Sequence, residues 1–350
     1  MNDKQDLRCC SAPSARTRSD SRKSSTRAIA STGNVRVLVI GCGRIGAGVG
    51  ADEIGVGCHA GAIKEMRRAD ITFFDEQPKL ARRASRRLGA SSLEHLPPDL
   101  RSYHIVAVCT PTPNHVHYLD LLVDAGVQLV LCEKPICNDL PGLRRAKRLY
   151  ANGSTRILVN YTRRFLPAFI ELRSQMRRIK CHESVRACLV RYQRGFLNNA
   201  SHALDLLQYL LEWEITDARV AVSAAAPDEF ADDPTISLAG NWNGAELVVT
   251  GLTGVKFSLF EIDLFFERSA VRIRDQGDVI QVAIAGSAGA YYAPLATVHT
   301  RSGCLDGLFC HVYGRAFTML TDRSTEDNFL SAAALTEWML KIKMRLWRRS

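Results

Sequence analysis

Two stretches of this 350-residue chain combine side chains able to move a proton with spacings that could bring them together. The first is Glu133-Lys134-Pro135, directly after the largely apolar strand at 127–132. A charged pair at the carboxyl end of a buried strand, pinned by a proline, is poorly explained as a solvated turn. Its bland alternative is a Lys–Glu pair at a loop edge; its functional one is an amine reaching into the crevice where open α/β sheets bind ligands. The second runs from Gly195 through Asn198 and His202 to Asp205. On a helix, Asn198 and His202 are four apart and His202 and Asp205 three apart, so all three share a face. Leu206, Leu207, Leu210 and Leu211 then mark the buried side. A histidine on an amphipathic helix usually packs, but this one has polar partners at both helical neighbours. Burial that tunes such an amine or imidazole toward neutrality makes it an efficient general acid or base.

Both stretches need a scaffold, and residues 35–46 supply its signature: a strand apolar at nearly every position running into Gly41-Cys42-Gly43-Arg44-Ile45-Gly46. A strand without polar alternation belongs in a parallel sheet covered on both faces. Gly41 permits the tight turn, Gly43 lets backbone approach a pyrophosphate, and Gly46 lets the next helix pack on the strand, its first amides facing the anion. A second strand at 71–74 delivers Asp75, placed to accept hydrogen bonds from an adenosine ribose. The 29 residues from Gly46 to Asp75 exceed the usual spacing of about 20. The Gly-rich stretch 47–58 is the insertion, followed by a helix at 60–68. Asp75 and Glu76 would repel a 2′-phosphate, which favours NAD over NADP despite Arg82, Arg83, Arg86 and Arg87 on the helix at 78–88. The strand at 103–109 ends in Thr110-Pro111-Thr112-Pro113-Asn114, whose prolines force an open loop at the sheet's carboxyl edge. The expected cofactor set is therefore Gly41, Gly43, Arg44, Ile45, Gly46, Asp75, Thr110, Pro111, Asn114, Glu133 and Lys134. His115 and His117 read as structural.

The length favours two domains. Expected are a basic, disordered tail at 1–34, a Rossmann doubly wound parallel sheet at 35–160, and a substrate-binding and oligomerisation domain at 161–350. Strands at 157–159 and helices at 116–125, 141–150 and 165–178 complete the first part. From 220 to 284 the apolar period shifts to two, giving an open, largely antiparallel sheet. Residues 285–301, with Tyr291, Tyr292 and His299, form a Gly/Ala-rich loop near the substrate, and Ser324 with Asp327 resembles a capping box for a final amphipathic helix. The net charge of +10 sits at the ends: +4 at 1–34 and +5 at 341–350, leaving +1 between them. A nearly neutral body argues against nucleic-acid binding. No apolar run reaches the roughly 18 residues of a membrane span, and the eleven irregularly spaced cysteines, without a C-x-x-C pair, suggest neither a metal site nor disulfides but buried thiols in a reducing cytoplasm.

Taken together, G-C-G-R-I-G at 41–46, C-T-P-T-P-N-H at 109–115, C-E-K-P at 132–135, N-Y-T-R-R-F at 160–165 and N-N-A-S-H-A-L-D at 198–205 resemble the Gfo/Idh/MocA oxidoreductases over residues 35–345. The resemblance implies NAD(P)-dependent oxidation or reduction of a secondary alcohol on a sugar, cyclitol or nucleotide sugar, and homodimers or homotetramers formed through the second sheet. The insertion and the N-Y-T-R-R-F segment resemble a subset associated with surface-polysaccharide sugars. By position, Lys134 matches the lysine that contacts the nicotinamide region and the reacting hydroxyl, and His202 the histidine that acts as general acid/base. Asp205 matches a carboxylate that contacts substrate in some members; Tyr161, Arg163 and Asn198 complete the expected substrate set. Asn198 departs from the family, which often has Asp four residues before the histidine; an amide cannot take a proton, so Lys134 and His202 remain the acid/base groups. Two other readings are carried with this one: a glycoside hydrolase using transient redox on tightly held NAD, and a non-catalytic NAD-binding regulator. The composition of 1–34 cannot bury enough apolar surface to offset its ordering entropy. Deleting it is therefore expected to leave thermal stability and NAD affinity unchanged, as calorimetry of the truncated protein would show.

Overall fold

The computed structural model describes residues 34–48, 57–286 and 293–347. The tail, most of the inserted segment, Tyr291, Tyr292 and the last basic residues lie outside these. The first sheet contains β1 (Val35–Ile40), β2 (Ala69–Phe74), β3 (Ser91–Leu93), β4 (Ile105–Val108), β5 (Leu129–Cys132) and β6 (Arg156–Val159). They lie in the order β3-β2-β1-β4-β5-β6 with every pair parallel. This is the doubly wound dinucleotide-binding order, with its switch point between β1 and β4.

Alternation along each strand divides its apolar residues between two faces. Val37, Val39, Ile105, Ala107, Leu129 and Leu131 pack with the short α1 (Arg44–Ala47) under α2 (His59–Met66), α3 (Pro78–Leu88) and α8 (Leu308–Thr321). Leu38, Ile40, Val106, Val108, Val130 and Cys132 pack under α4 (His115–Asp124) and α5 (Leu140–Asn152), in a core that continues into the second sheet. α8 thus returns from the far end of the chain to cover the sheet where it begins.

The second sheet has the order β14-β13-β12-β11-β7-β10-β9-β8. Its strands are β7 (Val185–Gln193), β8 (Arg219–Ala226), β9 (Thr235–Trp242), β10 (Ala245–Leu252), β11 (Phe260–Phe266), β12 (Ser269–Arg274), β13 (Val279–Ala285) and β14 (Leu295–Arg301). All pairs are antiparallel except β7 with β10. α6 (Pro167–Lys180), α7 (Ser201–Leu211) and α9 (Phe329–Trp347) contribute Leu172, Leu204, Leu207 and Phe329 to the core beneath it. α6 starts at Pro167 because Phe165 is held in a 3-10 turn and proline favours the first helical position.

Two local expectations are corrected. Residues 295–301 are not loop but the edge strand β14, which pairs with β13 and carries His299 opposite Val282. Ser324 does not cap α9: its backbone N–H and hydroxyl both bond Asp322, while the backbone N–H of Phe329 donates to Asp327 at 3.1 Å. The nearer carboxylate won the serine.

The fingerprint glycines are constrained by packing. Gly41 has φ +94°, and a Cβ there would lie 2.8 Å from the Cys109 and Thr110 backbone; a Cβ on Gly46 would lie 1.9 Å from the Gly41 carbonyl oxygen. Replacing Gly46 by alanine forces backbone apart, and is expected to cost about 3 kcal/mol, read as a lower urea midpoint at unchanged m value.

Candidate active site

Glu133 follows β5, and its backbone N–H still donates to the Val108 carbonyl at 3.0 Å, so the sheet aims this residue and the next. Its carboxylate turns inward, where Oε1 meets His59 Nε2 at 2.9 Å and the Asn160 side-chain amide, and Oε2 accepts the Lys134 backbone N–H at 3.3 Å. His115 Nδ1 lies 2.8 Å from the Pro135 carbonyl and its Nε2 2.9 Å from that of Thr110, tying together the loops that follow β4 and β5.

From this platform the Lys134 ammonium crosses to the second stretch. It donates to the Asn198 backbone carbonyl at 2.6 Å and to Oδ1 of the same residue at 3.0 Å. Burial pushes its pKa down to about 8, against the pull of the Glu133 and Asp233 carboxylates. Asn198 sits in a π-helical turn, Phe196–Ala200, ahead of α7, so the continuous α-helix expected from spacing is corrected to a π turn followed by an α-helix. Such turns recur at functional sites. The turn is capped by Asp233, which accepts the backbone N–H groups of Leu197 at 2.8 Å and Asn198 at 2.7 Å. Gly195, at φ +86°, makes room for that cap: a Cβ there would lie 2.3 Å from Asp233 Oδ2.

His202 follows in α7, and burial, then the Lys134 and Arg163 cations, hold its imidazole well below its usual range. These causes favour its uncharged form. Tyr161 stands edge-on to its ring at a centroid distance of 5.8 Å. The Arg163 guanidinium carbon lies 3.9 Å above the Phe260 ring, one of its NH2 groups donates to the Gln276 carbonyl, and its buried Nε has no partner among the described residues. Burial lowers its pKa to about 10.

The structure thus gathers Lys134, Asn198, His202, Tyr161 and Arg163. Asp205 departs from expectation: Arg164 Nε donates to its Oδ2 at 2.9 Å and a second guanidinium nitrogen to its Oδ1, and it is 2 % exposed. Both oxygens are committed to an internal ion pair. Sequence reasoning missed His59, Asp233 and Tyr313. His59 stood in plain view at the start of C-H-A-G-A, and Asp233 ends the acidic stretch 228–233, but neither had a spacing that tied it to Lys134.

The residues fit a dinucleotide. A Cβ on Gly43 would meet nothing within 4 Å, leaving the open approach that a pyrophosphate needs. Asp75 at the end of β2 is oriented by the backbone N–H groups of Cys42 at 2.7 Å and Gln77 at 2.8 Å, with lone pairs remaining for a ribose. The buried Thr110 Oγ1 has no partner among the described residues.

This sheet order, with a Gly-rich turn at the switch point and a carboxylate ending β2, defines a dinucleotide-binding Rossmann domain. Residues 35–161 match the Gfo/Idh/MocA family model, described as oxidoreductase family, NAD-binding Rossmann fold. The motif resemblance is borne out. A myo-inositol dehydrogenase, Hyg17, from Streptomyces leeuwenhoekii is 26% identical over 56% of this chain and 62% of its own length. Across the curated inositol dehydrogenases that match, the chain spans about half to three fifths of their length. The solved UDP-N-acetylglucosamine 3-dehydrogenase GnnA from Acidithiobacillus ferrooxidans aligns with TM-score 0.67 at 17% identity, covering 89% of this chain and 97% of that one. A super-repressor mutant of Gal80p from Saccharomyces cerevisiae aligns with TM-score 0.71 at 11% identity, covering 89% and 96%. At such identities the likeness is one of fold alone.

The Arg164–Asp205 pair gives a direct test of how tightly the site is braced. Burial raises the Asp205 pKa to about 6 even with Arg164 pulling it down, so ionising Asp205 costs stability as pH rises from its unfolded value toward 6. Arg164→Met removes the partner and is expected to cost about 3–5 kcal/mol at pH 8. The loss should shrink at pH 5, where a protonated Asp205 needs no cation; urea unfolding at both pH values reads the difference.

Proposed function

We propose that this protein is an NAD-dependent dehydrogenase acting on a secondary alcohol of a polyol, with residues 35–160 holding the cofactor and 161–350 the substrate. The observation that carries this reading is the Lys134 amine, its pKa lowered to about 8, bonded to Asn198 and electrostatically coupled to a neutral His202. A cyclitol, sugar or nucleotide sugar is the substrate class; the inositol dehydrogenases among the relatives support a cyclitol first. Asp75 and Glu76 at the end of β2 favour NAD over NADP.

When bound, NAD supplies the hydride acceptor, held by Gly41, Gly43, Arg44, Ile45, Gly46, Asp75, Thr110, Pro111 and Asn114. The remaining work belongs to the chain. Neutral Lys134 or His202 accepts the proton of the reacting hydroxyl during oxidation and returns it during reduction. Asn198 holds the Lys134 amine through two acceptor oxygens and takes no proton. Arg163 and Tyr161 frame the substrate beside His202. Assembly into homodimers or homotetramers through the second sheet belongs to the same proposal. A cytoplasmic location belongs to the same proposal; among the described residues no helix is long and apolar enough to cross a membrane.

The test is NADH absorbance with myo-inositol and a panel of sugars and nucleotide sugars. Lys134→Ala and His202→Ala are each expected to lower turnover by about two to four orders of magnitude, and to do so non-additively, because groups serving one transfer fail as a unit. NAD affinity should survive His202→Ala. Oxidation should accelerate as pH rises through about 8, where Lys134 loses its proton. Near-parental turnover in His202→Ala would remove that residue from the mechanism.

A further inference from the structure

The buried side of Glu133 faces an arrangement that the proton transfer above does not use. His59, the first residue of α2, is fully buried. Its Nε2 lies 2.9 Å from Glu133 Oε1 and its Nδ1 2.9 Å from the Tyr313 hydroxyl, with Phe309 edge-on to the ring at 4.8 Å. An ionised carboxylate only accepts, so Nε2 carries the hydrogen of the Glu133 bond. The ring is therefore held by α8 on one side and spent on Glu133 on the other. Glu133 in turn accepts the Lys134 backbone N–H, which makes a continuous chain from Tyr313 through His59 and Glu133 to Lys134.

We propose that His59 is a positioning residue for Lys134, acting through Glu133: it keeps that carboxylate ionised and oriented, and so fixes both the Lys134 backbone and the charge its ammonium senses. The inference rests on reading Lys134 as the group that handles the substrate proton. Burial alone raises the Glu133 carboxyl; the His59 hydrogen bond and attraction, then Asn160 and Lys134, outweigh it and hold the group below its usual range. Without the His59 donor, desolvation prevails and Glu133 takes up a proton. Lys134 then loses one of the two carboxylates that favour its charged form.

The other neighbours cannot replace that charge. Around Glu133, burial holds the Cys109, Cys132 and Tyr313 groups uncharged, and it lowers His115. Around Lys134, Asp233 still favours the ammonium, whereas Arg163 and Arg194 oppose it and His202 is neutral. The net effect of losing His59 is a Lys134 that gives up its proton at lower pH.

Three substitutions separate positioning from packing. His59→Asn keeps a polar atom where Nδ1 meets Tyr313 but cannot reach Glu133, and His59→Phe fills the ring space without a donor. His59→Gln places an amide N–H where Nε2 stood. Lys134 titration is followed by pH-dependent acetylation with acetic anhydride, quantified at Lys134 by peptide mass spectrometry, which needs no turnover. Expected are a downward shift of about one pH unit in His59→Asn and His59→Phe and a parental titration in His59→Gln. If His59→Asn does not fold, His59→Phe carries the same expectation. A folded donor-less variant whose Lys134 titrates as in the parent overturns the proposal. Turnover is scored separately: a shifted Lys134 titration without NADH formation from any polyol would sink the dehydrogenase reading and leave the positioning role standing. NADH formation whose pH limb moves together with the acetylation curve supports both.

Discussion

The constraint on which the site depends is the burial of a lysine amine at the end of a parallel strand. Removing an ammonium from water is costly unless it is surrounded by acceptors and charge. Lys134 obtains two oxygens from Asn198, one carboxylate beside it in sequence and one across the crevice in Asp233. These compensations are partial, and the pKa near 8 is what remains after them. Most of the local architecture follows from supplying them. β5 aims the residue, His115 ties the loops after β4 and β5, the π turn presents a carbonyl toward the amine, and Gly195 admits the carboxylate that caps the turn. A site with full compensation would be more stable and would hold its proton too tightly to release it near neutral pH.

The first sheet was legible in the sequence because its information is local. Strand, Gly-rich turn and acidic residue are read within one stretch, and the strands are apolar because both faces are covered. Lys134 was legible for the same reason, as a charge at a strand end. Asn198 and His202 were found by helical spacing, although the turn between them is π-helical and the sequence carries no sign of that. Asp205 shows the limit of spacing: it lies three residues past His202, yet its partner Arg164 is 41 residues away and no periodicity connects them. His59 and Tyr313 are 254 residues apart and Glu133 and His59 74 apart. The first depends on α8 folding back onto the first sheet and the second on α2 packing beside the end of β5, which are properties of topology and not of any stretch. β14 was misread as loop because an exposed edge strand of small and polar residues has almost no apolar alternation.

The core that passes from one face of the first sheet to the inner face of the second gives the crevice its rigidity. Tyr161, Leu166, Phe196 and Ala200 belong to the same cluster as Ile40, Val108 and Cys132. Lys134 follows a strand of the first sheet and His202 lies in α7 beneath the second, and their juxtaposition depends on this shared packing. Loops alone hold two such groups in register less precisely. The Arg164–Asp205 pair is part of the same bracing, since it joins the segment after β6 to α7 one turn beyond His202.

Asn198 can then be read as a tuning element. A carboxylate at that position would hydrogen-bond Lys134 as well as the amide does, and would add a full negative charge about 3 Å from the ammonium. An opposite charge at such a distance raises a lysine pKa, in a crevice where Glu133 and Asp233 already pull in that direction. The ammonium would then persist well above neutral pH, and Lys134 could not accept a hydroxyl proton there. With Asn198 the amine keeps an orienting acceptor at 3.0 Å without that charge, and the carboxylate nearest the turn is displaced to Asp233, where two backbone N–H groups share it. In the mechanism proposed above, an amide at 198 removes a proton carrier from the segment and leaves that role to Lys134.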